Sequence, residues 1–141
     1  MNKHAIRYHN LPLSQRTMEL IRRVDRVLQT FPKTPQGHAV AERLFKAATD
    51  IGANIAQGYG RGIEEDRRRL LCIARGSTAE THFWLRVARE CKLASPNIVA
   101  PILALAEQIT DHLCTAILQP FEDRANGAQG QTGGSDDYPD R

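Results

Sequence analysis

Four stretches of this chain repeat apolar residues every three to four positions, and each is bounded by proline, serine or clustered glycine, a pattern that confines the fold to packed helices. The first stretch begins after Pro12, with Ser14 in the expected N-cap position, and carries Leu20, Val24, Val27 and Phe31, flanked by Ile21 and Leu28. Arg16, Glu19, Arg22, Arg23 and Arg26 fall on its opposite face. Phe31-Pro32-Lys33-Thr34-Pro35 stops it, because a residue before proline is pushed out of the α region, and Pro35 suits the first turn of the next helix. That second helix is expected to reach about Gln57 on the stripe Val40, Leu44, Ala47, Ala48, Ile51 and Ile55. Gly58-Tyr59-Gly60-Arg61-Gly62 should then end it by supplying positive-φ positions.

Glu64, Glu65 and Asp66 open a third helix, where acids complement the positive end of the helix dipole. It continues through Leu70, Ile73, Ser77, Trp84, Leu85 and Ala88 and should end near Lys92. Ser95-Pro96 reads as an N-cap followed by an N1 proline, Val99, Ile102, Ala106, Ile109, Leu113 and Ile117 form the fourth stripe, and Pro120 closes it. Strand signals are nearly absent. The expected fold is therefore all-α, an up-down-up-down four-helix bundle over residues 13–119, after an N-terminal extension (1–12). Residues 120–141 are too poor in apolar side chains to offset their ordering entropy, and an acidic disordered tail is expected there.

At 141 residues, with 41% apolar and 25% charged side chains, the chain has the size and composition of one soluble domain, and no run approaches the roughly 18 apolar residues of a membrane span. No apolar stretch follows Met1–Asn10 to act as a signal-peptide core, so a cytoplasmic protein with no membrane partner is expected. Cys72, Cys91 and Cys114 read as small reduced core or boundary residues.

Sites of chemistry are hard to find. The Gly58–Gly62 segment lacks the lysine and hydroxyl ending of a P-loop and follows a helix instead of a strand, which favours a plain connection. His4, His9, His38, His82 and His112 have neither the spacing nor the companions of a zinc site. There is no Glu-x-x-His of the di-iron bundles, and Asp50 and Glu80 stand as isolated acids. No Ser-His-acid set is suggested either. Neither an enzyme nor a metal or cofactor is expected.

Charge is the remaining signal. The net charge of +3 divides into +6 over Met1–Gln119 and −3 over the last 22 residues, so the folded part is basic. Arg67, Arg68, Arg69 and Arg75, with Arg61 before them, crowd the start of the third helix, and Arg16, Arg22, Arg23 and Arg26 form a second group on the first. Guanidinium groups favour bidentate phosphate contact, although a solvated helix face with internal Glu–Arg pairs explains the same residues.

Ile51-Gly52-Ala53-Asn54-Ile55-Ala56-Gln57-Gly58-Tyr59-Gly60-Arg61 resembles the signature of the bacterial four-helix bundle family found in proteins encoded by intervening sequences of large-subunit ribosomal RNA genes. Phe31-Pro32-Lys33 and Ala74-Arg75-Gly76-Ser77 with Glu80 match in register, and the resemblance spans about residues 13–118. Gln57 stands where that branch has Glu. Gly37-His38-Ala39-Val40-Ala41-Glu42 and Phe83-Trp84-Leu85-Arg86 also look like segments of the accessory variability determinant of diversity-generating retroelements, which shares the fold. The resemblance implies a homopentamer with a basic surface that binds RNA or DNA and, in the retroelement case, a reverse transcriptase.

Three expectations follow. Arg16, Arg22, Arg23, Arg26, Arg67, Arg68, Arg69 and Arg75 would contact phosphates. Asn54, Gln57 and Glu80 would form a polar cluster at the Gly58–Arg61 turn, with Arg61 satisfying Glu80. The protein would be a non-enzymatic nucleic-acid-binding accessory factor or, alternatively, a protein-interaction scaffold whose charge only aids solubility or steering.

Overall fold

The computed structural model describes residues 8–120. A single 3₁₀ turn, Tyr8–Asn10, leads into α1 (Pro12–Leu28), α2 (Pro35–Gly60), α3 (Glu64–Glu90) and α4 (Pro96–Leu118), with no strand among the described residues. Each helix packs on its neighbours in chain order, α4 closes back on α1, and the diagonal pairs do not meet. Short connections make this an up-down-up-down bundle. Its axis is filled by Leu20 and Val24 of α1, Leu44, Ile51 and Ile55 of α2, Leu71 and Leu85 of α3, and Val99, Ile109 and Leu113 of α4, all inaccessible to solvent. The expected tail from residue 121, and residues 1–7 of the expected extension, lie outside the described residues.

Two helix starts follow the sequence signals. Thr34 Oγ1 accepts the Gly37 N–H (3.1 Å) with Pro35 behind it, and Ser95 Oγ accepts the Asn97 N–H (3.3 Å) ahead of α4. The linker into α2 is drawn so tightly that a Cβ on Gly37 would lie 2.2 Å from the Pro32 carbonyl oxygen, so glycine is required there. Ser14 is not the cap of α1. Pro12 takes the first helical positions, the boundary falls on Leu11 without a side-chain cap, and the Ser14 hydroxyl is buried with no hydrogen-bond partner.

The glycine segment also behaves differently from expectation. α2 runs through Gly58 to Gly60 with Arg61 as its C-cap, and within this segment only Gly62 takes a positive φ, 69°. Gly58 instead serves close approach: a Cβ there would sit 3.4 Å from both the Arg67 carbonyl oxygen and Leu70 Cβ of α3. α3 ends at Glu90, two residues before Lys92, whose φ of 56° puts it in the left-handed region usually given to glycine. The Lys92 N–H bonds to the Arg89 carbonyl (3.1 Å) and the Leu93 N–H to the Ala88 carbonyl (2.8 Å), a Schellman closure sealed by the buried Leu93 side chain.

Candidate nucleic-acid interface

On α1 the arginines project outward because Leu13, Thr17, Leu20, Val24 and Val27 take the inward positions. Glu19 is their shared counter-charge. It accepts from Arg23 Nε at 2.8 Å and from Arg22 Nη2 at 3.0 Å, and the Arg26 guanidinium approaches to 3.9 Å. These contacts, Arg23 first, hold the Glu19 carboxyl below its usual range. One carboxylate cannot neutralise three guanidinium groups, and the Arg22 and Arg26 side chains stay 57% and 69% exposed. Arg16 is exposed at the other end of the helix, beside a shallow groove of about 330 Å³ that it shares with Gln108, Asp111, His112 and Thr115. Burial, with Arg16 adding repulsion, pushes the His112 imidazole below its ordinary value.

The second group divides. Arg68 and Arg69 are exposed, the first bonded to Glu64 (2.8 Å) and the second 3.6 Å from Asp66, and Arg75 is exposed with Nη1 3.8 Å from Cys114 Sγ. Arg67 does not belong with them: it is only 2% exposed. Its Nη2 donates to Glu64 (2.6 Å) and to the Gln119 carbonyl (2.6 Å), and its Nη1 donates to the Ala116 carbonyl (2.9 Å). The guanidinium also lies 5.9 Å from the Tyr59 ring centroid. Arg67 thus satisfies carbonyl groups at the end of α4, where a helix leaves acceptors without internal donors, and is unavailable to phosphate. The contact with Arg67 holds the Glu64 carboxyl down to about 2, with Arg68 contributing.

The expected polar cluster does not assemble. Arg61 Nη2 reaches Gln57 Oε1 (3.4 Å) and Arg61 Nη1 lies 3.6 Å from Asp66, while Asn54 Nδ2 donates to the Asp50 carbonyl (2.8 Å). Glu80 lies about 24 Å along α3 from Glu64 and accepts from Trp84 Nε1 (3.2 Å). The antiparallel register of α2 on α3 brings the turn to the start of α3, and Glu80 opposite the first half of α2. Cys72 and Cys91 are exposed, not core residues, and Cys114 is intermediate.

Sequence reading passed over two arginines as phosphate contacts, Arg43, the one arginine of α2, and Arg86, which lies eleven residues beyond Arg75 and outside the cluster at the start of α3. Both are exposed, and neither has a carboxylate partner among the described residues. The signal that could have found them is the aromatic pair between them, Phe83-Trp84, at a phase of α3 that leaves Phe83 in solvent. Among the described residues no three His, Cys, Asp or Glu side chains are placed to hold a metal ion, and no helix is long and apolar enough to cross a membrane.

A crystal structure of a protein of unknown function from the S23 ribosomal protein family of Bacteroides thetaiotaomicron superposes on this chain with a TM-score of 0.70 at 19% identity, covering 76% of this chain and 99% of that one. At that identity the likeness concerns the fold. No curated protein matches the sequence. The sequence pattern of the family described as 23S rRNA-intervening sequence protein matches residues 9–115, a span that takes in all four helices but for the last turn of α4, and the chain belongs to that family.

Proposed function

We propose that this protein is a non-enzymatic accessory factor that binds RNA or DNA through its basic surface, acting as a cytoplasmic homopentamer and, in a retroelement setting, beside a reverse transcriptase. The observation that carries the reading is on α1: three outward guanidinium groups share the single carboxylate of Glu19, leaving positive charge on an exposed ridge. Arg16, Arg68, Arg69 and Arg75 extend that charge over neighbouring faces, and Arg67 contributes nothing to it. A surface of this kind binds by releasing counterions, so affinity should fall steeply as salt rises.

The test is light scattering on nuclease-treated protein, alone and with mixed RNA in low salt, followed by a salt titration of the complex. A pentameric mass that increases with RNA, and an affinity that collapses toward physiological salt, supports the proposal. Binding indifferent to salt, or no binding at all, refutes it. The exposed Met18 and Phe45 favour the scaffold reading as the second choice, in which a protein partner survives nuclease treatment in a pull-down.

A further inference from the structure

Phe83 is 54% exposed on α3, and its ring meets Trp84 edge to face, with centroids 4.9 Å apart and planes inclined at 69°. The indole is held from two sides: Glu80 takes its N–H at 3.2 Å, and the Arg43 guanidinium of α2 lies 5.5 Å from its centroid. Arg86 stands one helical turn beyond Phe83 and so shares its face. Toward the start of the helix the same face is open at Gly76. A Cβ on Gly76 would have nothing within 4 Å, and Arg69 lies two turns further along.

We propose that the Phe83–Trp84 pair is a stacking platform for unpaired bases, with Arg43 and Arg86 holding the phosphates on either side; this rests on the nucleic-acid reading above and narrows it to single strands. The patch offers aromatic surface and two guanidinium groups that form no ion pair among the described residues, against the one carboxylate of Glu80, and its complement carries flat rings and phosphates in alternation. Every base has a π face, so the platform binds single strands with little regard to sequence. Paired bases in a duplex are stacked on each other and cannot reach it.

The chain contains one tryptophan, so tryptophan emission, excited beyond the absorption band of its three tyrosines, reports on this site alone. The experiment titrates the full chain, in low salt, with oligothymidylate and with a strand of equal length whose bases are replaced by abasic tetrahydrofuran. The expected result is quenching of Trp84 by the base-bearing strand and binding of the abasic strand that is weaker by roughly tenfold. Phe83→Ala should bring the base-bearing strand down to the abasic level, Phe83→Tyr should restore it, and Arg86→Gln should weaken both strands together.

Equal affinity for the two strands, or Trp84 emission unmoved at saturation, overturns the platform while leaving the salt-dependent accessory function standing. A Phe83→Ala chain that changes its assembled mass in light scattering also overturns it, because the ring would then be a contact between copies. If neither strand binds while mixed RNA does, the platform alone falls; if mixed RNA fails as well, the wider proposal falls with it.

Discussion

Two arginine clusters with the same local recipe, an acid followed three and four residues later by arginines, end in different physical states. Around Glu19, Arg22 and Arg23 stay on an outward face and share one carboxylate. Around Glu64, Arg68 is outward as well, yet Arg67 is buried and bonded to the end of α4. The difference lies in helical phase. Arg67 is in line with Leu70, Leu71 and Ala74 on the buried stripe of α3, whereas the buried positions of α1 are all taken by apolar residues and Thr17. A count of arginines therefore overstates the charge that a ligand can reach.

Replacing Arg67 by Leu is the severest test of that contrast. It removes charge-assisted bonds to Ala116 and Gln119 and should lower unfolding free energy by about 3 kcal/mol in urea titrations. Binding of nucleic acid per folded molecule should stay the same. A loss below about 0.5 kcal/mol would put Arg67 back among the surface arginines.

The converse change is Arg22→Ala with Arg26→Ala, which should leave stability within about 1 kcal/mol because both pairs are solvent-exposed. The slope of log affinity against log salt for a single strand should become shallower by about 1.4 if both contact phosphates. An unaltered slope would assign these arginines to solvation alone.

A smaller effect separates the two acids. The folded-state pKa of Glu64 is about 2 against an ordinary 4.5, so the unfolded chain takes up its proton first as pH falls. The stabilisation is complete above about pH 4.5 and disappears toward pH 2. For a carboxylate about one-third exposed, solvent screening reduces it to about 1 kcal/mol, and Glu64→Gln should show a flatter stability profile across that window. Glu19 shifts in the same direction, but Glu19→Gln should alter the profile less than Glu64→Gln does.

Much of the bundle was legible in the sequence, because proline and hydroxyl caps act locally: Thr34-Pro35 and Ser95-Pro96 start helices where they stand. What failed depended on contacts between distant residues. Gly58 looked like a breaker, yet its role is to let α3 approach α2. Arg61 and Glu80 looked like partners until the antiparallel register set them at different levels of α3. Lys92, with no local signal for a left-handed residue, closes α3 because Leu93 is pulled into the core. Among the site residues, outward phase could be read for Arg22 and Arg26, but the inward turn of Arg67 required the end of α4 as its partner.

Arg67 touches the ring of Tyr59 on α2, its own helix, and the carbonyls that end α4, so one side chain ties three helices together and leaves α1 out. α1 is also the shortest of the four, at 17 residues, and has no side-chain cap at its start. The molecule is thus a joined trio with a fourth helix laid against it, and α1 should open before the whole unfolds, with its amides exchanging fastest among the four helices. Since Arg22, Arg23 and Arg26 ride on that helix, any ligand that grips them only in the docked arrangement also acts as a latch, closing the least secure seam of the bundle by mass action.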